Sequence, residues 1–124
     1  MMKKLALILA TVLLFGCEAG LEKNQNKEAD VFDKNIECQK FRGVLVSGLP
    51  PESDDGFFSS IESVFYSPKL NNCVYIKIWG SGTDYEWDLN DAFTNKTIDK
   101  FSSWEESNYK SLDEFKNALR EYGY

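Results

Sequence analysis

The chain has 124 residues, with 14 basic against 20 acidic side chains and a formal net charge of −6. That length holds one domain, and an acidic field repels nucleic acid and anionic lipid headgroups while it attracts cationic proteins. Histidine is absent, which removes the commonest general base, the Ser-His and Cys-His nucleophile pairs and the most frequent zinc ligand.

In chain order, Met1-Met2-Lys3-Lys4 forms a basic start. Leu5 to Phe15 (LALILATVLLF) is an apolar run of eleven residues that ends at small Gly16 and Cys17. As a helix this run rises only about 16 Å against roughly 30 Å of hydrocarbon, so it reads as an export signal. A short N-terminal membrane helix or a secreted signal cut elsewhere are the other readings. Leu14-Phe15-Gly16-Cys17 resembles the lipobox of bacterial lipoproteins, although Phe15 is bulkier than that motif usually carries. The resemblance implies that residues 1–16 are a signal peptide that is removed and that Cys17 is lipidated, with a thioether-linked diacylglycerol and an N-acyl chain of the palmitate kind. The protein would then be anchored in the bacterial cell membrane or outer membrane, facing away from the cytoplasm. One acyl chain binds a membrane marginally, whereas two or three, at about 0.8 kcal/mol per buried methylene, hold it stably. Cleavage would remove two of the 14 basic residues and none of the 20 acidic ones, so the net charge of −6 becomes −8.

Residues 17–29 are polar, lack aromatics and show no apolar period, which predicts a flexible tether. Residues 30–124 form the single folded domain, small enough to profit from a covalent staple. With Cys17 assigned to lipid and the chain exported, Cys38 and Cys73 are expected to form a disulfide. Closing that loop of about 36 residues stabilises the fold by roughly 3–4 kcal/mol in the chain-entropy model. A redox or metal-binding pair is the weaker alternative, because there is no CxxC and no histidine to complete a zinc site.

From Asp30 to about Val46, apolar residues at Val31, Phe32, Ile36, Cys38, Phe41 and Leu45 follow a helical spacing. Gly48-Leu49-Pro50-Pro51 stops the helix, and Pro50 to Gly56 is an acidic loop without the alternating order of a calcium site. The period then changes to two. Ser60–Tyr66, Cys73–Trp79, Asp84–Leu89 and Thr97–Phe101 read as four strands, separated by turns at 67–72, 80–83 and 90–96. Ser111-Leu112-Asp113-Glu114 is a capping box that opens a last helix, with Leu112, Phe115, Leu119 and Tyr122 on one stripe. The expected class is α+β: an N-terminal helix, a four-stranded antiparallel β-meander, a C-terminal helix and one disulfide.

The segment Phe65-Tyr66-Ser67-Pro68-Lys69-Leu70-Asn71-Asn72-Cys73, followed by an apolar strand and by Asp88-Leu89-Asn90-Asp91 and Thr94-Asn95-Lys96, resembles a group of small, uncharacterised bacterial lipoproteins. Members carry an F-Y-S-P-K-L-N-x-C hairpin segment. Asn72 stands where threonine is usual in that group, and Asn95 where glycine is common. The likeness spans about forty residues and implies fold and anchoring, not an activity.

In the second strand Val74, Ile76 and Ile78 point one way, and Cys73, Tyr75, Lys77 and Trp79 the other. A Cys38–Cys73 bond brings the first helix to the second of these faces and leaves the C-terminal helix to cover the aliphatic one. Tyr75 and Trp79 are then the candidate binding surface if that face is partly open. Asp84, Glu86 and Asp88 are carboxylates two apart, roughly 7 Å from one another on one face. An exposed polar stripe lacks the apolar pocket that acid–base catalysis requires. No P-loop, G-x-S-x-G or dinucleotide fingerprint is present. The expectation is a non-enzymatic envelope lipoprotein without catalytic, metal or cofactor residues, acting as a protein-interaction module. A more specific version is an inhibitor or exclusion factor against a cationic envelope partner such as a lysozyme-type hydrolase. The alternative is a small-ligand or glycan-binding module that uses the aromatic sheet face.

Overall fold

The computed structural model describes residues 18–104 and 108–124, with side chains from residue 26 onward. The signal segment 1–16 and Cys17 lie outside the described residues. The chain divides into two compact units, residues 1–32 and 33–124. The elements are α1 (Glu18–Gln39), α2 (Phe41–Ser47), β1 (Phe58–Ser67), β2 (Asn72–Ser81), β3 (Asp84–Asp91), β4 (Thr97–Ser102) and α3 (Leu112–Tyr122).

Helix α1 starts at Glu18, so the stretch 18–29, expected as a flexible tether, is helical. Its polarity argues against burial, and residues 26–30 are indeed exposed. Helix formation needs no apolar face, however, and Glu, Lys, Gln, Ala and Leu are all good helix formers. The run breaks at Lys40 and resumes as α2. This helix ends where the Gly48 N–H bonds the Val44 carbonyl at 3.2 Å, just ahead of the Pro50-Pro51 pair.

The four strands form an antiparallel meander in the order β1-β2-β3-β4, each reaching up to two residues beyond its sequence pattern. The turn between β1 and β2 places Asn71 at φ 50° and that between β3 and β4 places Asn95 at φ 56°, left-handed positions that asparagine tolerates. In the latter turn the Asp91 carboxylate accepts the N–H groups of Phe93 at 2.9 Å and Thr94 at 2.8 Å. The Asp91 carboxyl therefore lies below the usual aspartate range: burial opposes this, and these two N–H groups with the Thr94 hydroxyl and Asn72 amide outweigh it.

One sheet face carries the core. Phe65, Val74, Ile76, Leu89 and Phe101 pack with Phe115 of α3, and Leu119 and Tyr122 extend the contact. Phe115 lies 5.0 Å from the Phe101 ring centroid and stacks on Trp87 at 5.5 Å. The capping box forms as the sequence predicts, with the Ser111 hydroxyl accepting the Glu114 N–H and the Glu114 carboxylate accepting the Ser111 N–H.

The other face meets the N-terminal helices along β1. Cys38 and Cys73 form the expected disulfide, with Cα atoms 5.4 Å apart. As an edge strand, β1 has outward backbone groups without a strand partner, and side chains of α1 and α2 take them up. Asn35 Oδ1 accepts the Tyr66 N–H at 2.6 Å, the Gln39 amide donates to the Val64 carbonyl, and Arg42 donates to the Ile61 carbonyl at 3.0 Å. A bulge between Ile61 and Ser63 shifts the side-chain parity by one, so Ile61 and Val64 both turn toward these helices.

Candidate functional site

Register assembles the site on this second face. Directly opposed residues in antiparallel strands point the same way, and the pairs Ile61↔Lys77, Lys77↔Asp88 and Asp88↔Lys100 make one row across all four strands. The next row runs Ser59↔Trp79, Trp79↔Glu86 and Glu86↔Ser102. A cationic, an anionic and a second cationic side chain thus alternate beside an indole and a second carboxylate.

Helix α2 packs on β1, and the end of α1 reaches this face at Cys73, the start of β2, through the disulfide. Over β3, long side chains do the covering. The Trp79 Nε1–H donates to Asp88 Oδ2 at 3.1 Å, and Lys100 Nζ lies 3.7 Å from Asp88 Oδ1. The same ammonium sits 6.0 Å from the Trp79 ring centroid and 5.4 Å from that of Tyr109. Beneath this cover Glu86 is 4% and Asp88 8% exposed. The sequence pattern predicts an exposed polar stripe at Asp84, Glu86 and Asp88, and the structure buries two of the three. The alternation of Asp84, Glu86 and Asp88 identifies a polar face correctly, but lysine stems and aromatic rings bury carboxylates as effectively as a helix does. Only Asp84, at the turn, is exposed.

Glu86 Oε2 and Asp88 Oδ1 are buried and have no hydrogen-bond partner among the described residues. Burial pushes the Glu86 carboxyl above the ordinary glutamate range, the Asp88 charge pushes it further, and Lys100 opposes both. The cation these carboxylates face is Lys100, 3.7 Å from Asp88 Oδ1 and above the Trp79 ring, and a partner's guanidinium reaches them and the ring only where Lys100 moves aside.

Tyr75 and Trp79 share this face as expected but differ in access. Tyr75 is buried, and its hydroxyl donates to Asn95 Oδ1 at 2.9 Å. Burial, with a contribution from Asp88, raises its phenol above the usual tyrosine value. Trp79 is partly exposed, and its ring lies 6.0 Å from that of Phe57. Beside them, α2 and the sheet enclose a cavity of about 370 Å³ with Leu45, Leu49 and Ile61 on its apolar side and Tyr75, Lys77 and Asn95 on its polar side. Nothing in the local sequence around Val44–Leu49 announces this groove, which forms where α2, held to β1 by Arg42 on the Ile61 carbonyl, lies over the edge of the sheet.

Among the described residues no cluster of three or more cysteine, aspartate or glutamate side chains is arranged to hold a metal. No protein-family model, curated protein or solved structure matches this chain.

Proposed function

We propose that the protein is a bacterial envelope lipoprotein, anchored through acyl chains on Cys17, whose domain binds a protein partner and performs no reaction. The observation that supports the interaction reading best is partly exposed Trp79 beside the Glu86 and Asp88 carboxylates, each with a buried oxygen that has no hydrogen-bond partner among the described residues. Interface hot spots centre on aromatic residues paired with charges that become desolvated, and the acidic chain steers a basic partner toward them. Anchoring draws on the signal pattern, and no helix among the described residues is long and apolar enough to cross a membrane. An inhibitor or exclusion factor acting on a lysozyme-type hydrolase is the specific form this takes. A glycan platform is less well supported, because Tyr75 is buried and offers no free ring face.

Two measurements test the parts separately. Metabolic labelling with a radioactive fatty acid should mark the parent and not Cys17→Ser; an unlabelled parent removes the anchor. Titration against a panel of cationic lysozyme-type hydrolases should show saturable association that weakens as salt rises and is reduced by Glu86→Gln with Asp88→Asn. Absence of binding, or binding indifferent to salt and to both substitutions, removes the inhibitor form.

A further inference from the structure

The groove under α2 has a chemistry that the protein-interaction reading leaves unused. Its apolar side is Leu45 and Leu49 from the helical segment and Ile61 from β1, and its volume of about 370 Å³ lies at the small end of the roughly 300–1,000 Å³ typical of ligand sites. The polar side is biased toward donors. Lys77 is half-buried on the floor and makes no ion pair or hydrogen bond among the described residues. Its cross-strand neighbour Asp88 is engaged elsewhere, with Oδ2 on the Trp79 indole and Oδ1 facing Lys100. The Tyr75 proton is spent on Asn95 Oδ1, which fixes the Asn95 amide with its NH2 as the remaining donor. Asn95 is itself fixed in the β3–β4 turn, at φ 56°, by its N–H bond to the Asp91 carbonyl at 2.9 Å.

An ammonium and an amide NH2 beside a hydrocarbon wall call for a ligand with an acceptor-only head and an apolar body. We infer that the groove binds a single-chain aliphatic carboxylate, its head between Lys77 and Asn95 and its tail along Leu45, Leu49 and Ile61. A neutral alcohol of the same length loses the charge-assisted bond to Lys77, and a short carboxylate loses the apolar contact.

Calorimetric titration of the full chain at pH 7 with octanoate, 1-octanol and acetate tests this, with circular dichroism showing that each variant is folded. Octanoate should saturate one site with a dissociation constant at least tenfold below those of the other two. Lys77→Gln should weaken octanoate at least tenfold and leave octanol unchanged, and Leu45→Trp, which fills the groove, should weaken both. Should the Leu45 variant fail to fold, amide chemical-shift changes with octanoate must centre on 44–49, 75–77 and 95. Octanol binding as tightly as octanoate, indifference to Lys77→Gln, or shift changes centred on α3 would overturn the inference.

Discussion

Trp79 on β2 and Asp88 on β3 are joined by an indole N–H to carboxylate bond of 3.1 Å, and this bond holds the ring across the face that carries Glu86. Asp88→Ala leaves the indole donor unpaired and Lys100 without its carboxylate. The expected cost is about 1–3 kcal/mol, offset in part because Glu86 loses a repulsive neighbour. Asp88→Asn keeps an acceptor for Trp79 and removes that repulsion, so it should cost less. Urea unfolding followed by tryptophan fluorescence checks the order of the two variants.

Glu86 carries a stability signature in pH. Its carboxyl is raised by burial and then by Asp88, so the folded chain holds that proton more tightly than the unfolded chain. Stability from this group is therefore greatest below the unfolded glutamate value of about 4.3 and falls as pH rises through the higher folded value. Glu86→Gln removes the ionisation and keeps the shape. Thermal midpoints should coincide with the parent at low pH and exceed it at pH 7. Asp91, shifted the other way, makes both proteins lose stability as pH falls and so leaves their difference unchanged.

The disulfide closes a sequence separation of 35 residues and ties α1 to β2. Replacing Cys38 and Cys73 by serine should lower stability by roughly 3–4 kcal/mol, a large share of the 5–15 kcal/mol of an ordinary domain. Denaturant midpoints of the parent with and without reductant should bracket the same difference. Equal midpoints would show that β1 holds the helices without the bond.

Gly80 tests the turn between β2 and β3. A Cβ there would overlap the Asp84 carbonyl oxygen, a backbone atom that cannot move aside as a flexible side chain does. Gly80→Ala should destabilise by at least about 1–3 kcal/mol, the usual range for overpacking. Gly82→Ala meets no atom but strains a φ of +60°. A melting temperature for Gly80→Ala equal to the parent's would contradict the geometry.

Much of the architecture is legible in the sequence because local signals agree with the fold. The period of two marks four strands, Asn71-Asn72 marks the first hairpin turn, and Ser111 with Glu114 marks a helix start. The start of α1 is less legible, since residues 18–29 combine helix-forming side chains with a polarity that also suits a tether. The site is harder still. Alternation shows that Glu86 and Asp88 share a face with Trp79's neighbours only once register is known, and the bulge at Glu62 reverses the parity of half of β1. Burial of the carboxylates comes from Trp79 and Lys100 folding over them, a long-range arrangement with no local pattern.

The most direct test of the proposed interaction surface is photo-crosslinking in intact cells, with a photoreactive residue at position 57, whose ring lies 6.0 Å from that of Trp79, or, on the helix of the opposite face, at Lys116. Position 57 should yield one discrete, basic protein adduct that disappears when Glu86→Gln and Asp88→Asn are combined, and position 116 should yield none. Equal capture from both positions, or no adduct from position 57, would contradict a partner-binding role for this face.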